Sequence, residues 1–151
     1  MRVQASARLI PDTPLQVSVT AGRHSFVADE PESYGGTDVG PSPGQMMLAA
    51  LGACQIMTFQ IWARKLGLRM DGVEVSVSGD LDPQSWIGEE SSNRPGFSQI
   101  LFKATVTGPE PEERYAELAR LVDEHCPIMD SLLDVVPVLT EVEFKSPDQV
   151  S

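Results

Sequence analysis

A chain of 151 residues is long enough to bury about two thirds of its unfolded surface and needs no disulfide merely to fold. Its formal charge of −11 and pI near 4.4, with no local lysine or arginine cluster, repel phosphate backbones and anionic headgroups, which argues against nucleic-acid and membrane-surface partners. With no signal-like N-terminus and no apolar run read as reaching the roughly 18 residues that span a bilayer, a cytoplasmic protein is expected.

Residues 3–10 and 15–20 partly alternate, and Ala21-Gly22 separates the second run from 23–28, which predicts a strand followed by a hairpin. Residues 29–43 hold three prolines and several glycines and read as a long connector, a kind of loop that often carries function. Ser42-Pro43-Gly44-Gln45 predicts a helix start, with Ser42 as N-cap, Pro43 at the first helical position and Gln45 closing a capping box. That helix should run to Leu66, where Arg64-Lys65 and then Gly67 supply a basic last turn and a stop. Val73, Val75 and Val77 alternate with polar residues and begin a strand over 73–81. Residues 82–96 read as a surface loop anchored by Trp86, and 99–106 as a second strand with Ile100, Phe102, Ala104 and Val106 on one side, paired antiparallel with 73–81. An amphipathic helix over 111–125, a shorter helix over 127–133 and a final strand over 136–144 complete the chain. The order β-β-α-β-β-α-α-β has too few strand–helix–strand alternations for a doubly wound sheet and predicts an α+β fold in one 1–151 domain. The first helix is apolar nearly all round, so a sheet should cover one side and a second copy of the chain the other.

The two cysteines are the only sulfur nucleophiles. Cys54 lies in the apolar stretch 44–59, where a thiol should be buried, and a free cysteine there can serve simply as a small hydrophobe. Cys126 precedes Pro127 at a helix junction and should sit near a surface or cleft, where the positive helix end would lower its pKa. By that reasoning Cys126 could be the more reactive thiol, and the residues leave open which attacks first. A thiolate at Cys54 needs a cation or donor aimed at it, and Arg23, near the start of the hairpin's second strand, is the leading candidate. His24 and His125 read as ordinary polar residues, and Glu89-Glu90 and Glu112-Glu113 as solvated pairs. Cysteines 72 positions apart form no CxxC motif, and two histidines without ligand spacing predict no metal. Gly35-Gly36-Thr37-Asp38-Val39-Gly40 lacks the ending of a phosphate-binding loop and reads as a flexible turn. Met46, Met47 and Met57 are expected as core or interface filler, or as the lining of an apolar substrate pocket.

Asp29-Glu30-Pro31, Gly35-Gly36, Gly40-Pro41-Ser42-Pro43 and Leu48-Ala49-Ala50-Leu51-Gly52-Ala53-Cys54, followed far downstream by Cys126-Pro127-Ile128, resemble the OsmC/Ohr superfamily of organic hydroperoxide reductases. The resemblance implies an intertwined α+β homodimer with a long apolar central helix against antiparallel sheet and active sites at the subunit interface. It also implies a peroxidase with no metal or haem cofactor. Cys54 would be the attacking thiolate, Cys126 the resolving thiol and Arg23 the activating guanidinium, with an organic hydroperoxide as substrate and an external dithiol of lipoyl type as reductant. Gln45, Met46, Met47 and Met57 would lie toward the substrate pocket. The chain departs from the family pattern twice: Gly44-Gln45 stands where peroxidases usually carry a glutamate, and Met129 where a histidine often follows the second motif. The alternative is a non-catalytic dimer that binds an apolar ligand and keeps its cysteines for packing.

Overall fold

The computed structural model describes residues 1–144. Strands β1 (Ala5–Leu9), β2 (Val17–Ala21) and β3 (His24–Ala28) form an antiparallel sheet in chain order. Ala21 pairs with His24, so Gly22 and Arg23 are themselves the two-residue turn. This places Arg23 at the hairpin tip rather than on the strand. Only Ala28 of these strands is buried, and the sheet packs chiefly on itself.

Helix α1 (Pro43–Leu66) begins as its residues dictate. The Ser42 hydroxyl accepts from the Gln45 N–H at 3.3 Å, while the Gln45 side-chain oxygen accepts from the Ser42 N–H at 2.9 Å. It ends at Gly67, whose φ of 64° is one that glycine adopts without steric cost. Strands β4 (Gly72–Asp80) and β5 (Gln99–Thr107) pair antiparallel, and their alternation turns Val73, Val75 and Val77 with Ile100, Phe102, Ala104 and Val106 inward. Between them lies α2 (Pro83–Ile87), followed after β5 by α3 (Glu112–His125) and α4 (Pro127–Leu133). The core forms where α1 meets α3: Phe59, Ala63, Leu118 and Val122 are buried against Trp62, Val73, Ala104, Val106 and Tyr115. Burying each such side chain contributes roughly 1.5–3 kcal/mol.

The inward stripe of α1 is Leu51, Gln55, Phe59 and Ala63, at four-residue spacing. Another stripe, Met47, Ala50, Met57 and Ile61, remains exposed although it is apolar, with half-buried Cys54 in its middle. The side-chain amide of Gln55 is fully buried, and neither its nitrogen nor its oxygen has a hydrogen-bond partner among the described residues. A group left so costs about 1–3 kcal/mol, with no hydrogen bond among the described residues to offset it.

Several expectations are corrected. The final strand over 136–144 does not form: this segment has no regular structure and is exposed, with Leu139 at 94% exposure. A strand forms only by pairing along an edge, and the ladders of the described residues join β1, β2 and β3 and join β4 and β5 without this segment. Among the described residues the order therefore has three N-terminal strands and no C-terminal one. Residues 82–96 are not all loop, because Asp82 caps α2 by accepting from the Gln84 N–H at 3.0 Å. Finally, α1 is itself long and apolar enough to cross a membrane, with 24 residues and an 18-residue window whose mean hydropathy is 1.4, contrary to the expectation that no run is. Its packing against β4 and α3 is that of a core helix.

Candidate functional site

Cys54 projects from α1, and Cys126 occupies the single residue that ends α3 and caps α4. Pro127 cannot continue α3 through its missing N–H, so the chain bends at Cys126 and the thiol turns inward. The two sulfurs lie 3.2 Å apart, with the Cys126 thiol donating to Cys54. Both are free thiols. His125 braces the junction: its ring lies 4.4 Å from that of Trp62 on α1, and its Nδ1 is 2.8 Å from the Leu121 carbonyl oxygen. Lys65 Nζ sits 4.2 Å from the same indole, a cation–π contact. The Thr58 hydroxyl donates to the Cys54 carbonyl at 2.8 Å.

The two environments are the reverse of those expected. Cys126 is completely buried, whereas Cys54 is half-buried and retains an accessible face. Burial pushes the Cys126 thiol up, above its ordinary 9.0. The N–H groups of Met129 and Ile128 at the start of α4 act downward and Cys54 alongside acts upward, so the helix end does not prevail. Burial and the raised pKa of Cys126 both oppose the thiolate that its helix-end position suggests. Arg23 is exposed and makes no ion pair or hydrogen bond among the described residues.

A concavity of about 450 Å³ opens at the start of α1 between the connector, β4 and α2. Gln45 lines it together with Tyr34, Leu48, Trp86 and Phe97, but Met46, Met47 and Met57 do not. One wall is held by Asp29. This buried carboxylate accepts from the Thr37 hydroxyl at 2.6 Å, the Thr37 N–H at 2.9 Å and the Glu30 N–H at 2.9 Å. The Thr37 hydroxyl foremost, against the opposing effect of burial, and then the N–H groups of Glu30, Thr37 and Val39 hold its pKa below the ordinary 3.8. The glycine-rich turn is therefore ordered around a charge, which a reading of glycines as flexibility missed. An acidic residue followed by Gly, Thr and Asn or Asp was the available signal. No cluster of three or more His, Cys, Asp or Glu side chains that could hold a metal occurs among the described residues.

Fold and site together define an α+β protein with two distant cysteines brought into contact across a long central helix. The model of the OsmC-like protein family matches residues 35–141, and the chain belongs to that family. Among solved structures it is similar to an OsmC-like protein from Mycoplasma pneumoniae (TM-score 0.75, 19% identity, 89% of each chain covered). It is also similar to an organic hydroperoxide resistance protein OsmC from Legionella pneumophila (TM-score 0.65, 19% identity, 87% of this chain and 89% of that one). A Haloferax volcanii protein is 24% identical over 98 residues, 64% of this chain and 67% of its own length.

Proposed function

We propose that this chain is a cysteine-dependent peroxidase that reduces organic hydroperoxides to alcohols. The observation that carries the reading is the 3.2 Å contact between sulfurs on different elements, with the accessible one accepting from the buried one. The Cys54 thiolate attacks the peroxide O–O bond; the distal oxygen becomes a sulfenic acid on Cys54, and the alkoxide leaves as alcohol with one proton. The Cys126 sulfur then displaces hydroxide from the Cys54 sulfenic acid, giving water and a Cys54–Cys126 disulfide. An external dithiol, of lipoyl type in a reducing cytoplasm, returns both thiols by exchange and is itself oxidised to a disulfide. The solved relatives described as hydroperoxide resistance proteins support the peroxide as substrate.

The same reading takes the working unit to be an intertwined homodimer. In support, the exposed stripe of α1 runs through Cys54, the β1–β3 sheet is barely buried in its own chain, and the apolar side chains Val138, Leu139 and Phe144 near the end of the described residues are exposed. Arg23 would then act on the other subunit's thiol, the hairpin tip being free to reach it. A Met57→Glu substitution in the middle of the stripe should yield a folded monomer by light scattering.

A second reading, a dimer that binds an apolar ligand without turnover, is favoured by one observation. Gln45, which stands near the usual glutamate position, spends its side-chain oxygen on the capping box and has no charge with which to orient a guanidinium. Turnover of cumene hydroperoxide with a dithiol, in wild type and Cys54→Ser, separates the two. Loss of turnover in the variant is expected; equal turnover would end the peroxidase reading, and no turnover in wild type would favour the binder.

A further inference from the structure

Two reduced thiols in contact are also a bidentate ligand, and their separation selects among the centres that bind sulfur. The sulfurs of Cys54 and Cys126 lie 3.2 Å apart, on different elements, and both are free. A centre that holds two sulfurs at about 2.3 Å sets them about 4.6 Å apart when it is linear, about 3.8 Å at a tetrahedral angle and about 3.2 Å at a right angle. The observed separation is that of the right angle. Trivalent arsenic makes bonds of about this length to sulfur, and its lone pair presses its three bonds toward right angles. Tetrahedral zinc would have to spread the sulfurs, and Cys126 is completely buried where α3 ends and α4 begins.

Ligand number and charge point the same way. Zinc takes at least three protein ligands, and no group of three or more His, Cys, Asp or Glu side chains that could hold a metal occurs among the described residues. Trivalent arsenic needs only the two sulfurs when its third bond carries an organic group. Burial pushes the Cys126 thiol pKa up, which opposes the thiolate that a zinc ligand must become but not an uncharged, covalent As–S bond. Ala50 and Met57, one turn before and one turn after Cys54 on the same face of α1, are apolar and exposed, a bed for the organic substituent.

We infer that the Cys54–Cys126 pair is a binding site for trivalent arsenicals that carry one alkyl or aryl group. Such a compound arrives as the acid R–As(OH)2. The accessible Cys54 sulfur displaces one hydroxyl and the Cys126 sulfur the other. Two As–S bonds form and two As–O bonds break, and the thiol protons leave with the hydroxyls as two molecules of water. Arsenic stays trivalent and nothing is oxidised. The inference uses the contact between the sulfurs and not their peroxide chemistry, yet the two compete, because a sulfur bonded to arsenic cannot enter a disulfide.

The test is titration of the reduced full chain with phenylarsine oxide and, separately, with zinc chloride, read by intact mass and by counting free thiols. Wild type should take up one phenylarsenic group at one equivalent and lose both free thiols; a dithiol should strip the group, and a monothiol at equal thiol concentration should not. Cys54→Ser and Cys126→Ser, each with one sulfur, should bind at least about a hundredfold more weakly, the loss expected when the second bond of a chelate is removed. Cys54 is only half-buried, so Cys54→Ser decides the matter if Cys126→Ser does not fold. Zinc at the same concentration should leave both thiols free. Absence of a wild-type adduct at one equivalent, equal affinity in Cys54→Ser, or protection of the thiols by zinc as strong as that by the arsenical would each overturn the assignment. A chain that takes up the arsenical but does not turn over cumene hydroperoxide would end the peroxidase reading and uphold this one; turnover without uptake would do the reverse.

Discussion

Oxidation of the cysteine pair should stabilise the fold by an amount that its sequence separation sets. The sulfurs stand 3.2 Å apart and need close by only about 1 Å to reach bonding distance, a movement within the reach of side-chain rotation. The bond would close a loop spanning 72 positions. Chain-entropy arithmetic for that length gives about 4 kcal/mol, as a ceiling from which any distortion of the junction is subtracted. For a protein of this size the gain corresponds to a rise in Tm of roughly 10 °C. The assay is differential scanning calorimetry before and after one equivalent of cumene hydroperoxide, with intact mass recording the loss of two hydrogens. Cys126→Ser, treated alike, should show no rise and should instead carry a Cys54 sulfenic acid that a dimedone trap captures. A disulfide formed without any rise in Tm would refute the loop reasoning. An equal rise in Cys126→Ser would show that the gain has another source.

Three further outcomes follow from the packing and the charges. Iodoacetamide near pH 8 should label Cys54 well before Cys126, because the latter is completely buried and its pKa is raised; peptide mass mapping gives the order, and equal rates would contradict the buried junction. Leu118→Ala, at a fully buried position against Phe59 and Ala63, should cost about 2–4 kcal/mol in urea unfolding, and a loss under about 1 kcal/mol would mean that the α1–α3 contact is not the core. Asp29, whose folded pKa is depressed, contributes stability that is present above its ordinary 3.8 and is lost as pH falls through the lower folded value. Asp29→Asn should therefore lower stability at neutral pH and flatten the acid limb of the stability–pH curve; an unchanged limb would show that the connector does not depend on this charge.

Much of the local structure was written in short-range signals. The start and end of α1 follow from Ser42, Pro43, Gln45 and Gly67 because capping involves atoms within a few residues of one another. The facing sides of β4 and β5 follow from strict alternation for the same reason. Residues 136–144 alternate in the same way yet form no strand, since pairing needs an edge that the sequence pattern does not supply. Asp82 shows the opposite case, a capping side chain inside a stretch whose prolines, glycines and charges read as loop. The cysteines mark the boundary most clearly. The resemblance of the motifs around them to the OsmC/Ohr superfamily is what marked Cys54 and Cys126 as a pair; their spacing alone only excluded a CxxC motif. Which thiol is hidden and which is accessible depends on how α3 and α4 lie against α1, and that tertiary arrangement inverted the expected order. A helix end lowers a thiol pKa locally, but desolvation by surrounding elements opposes it and here outweighs it, and only the packed chain determines how much surrounds the sulfur.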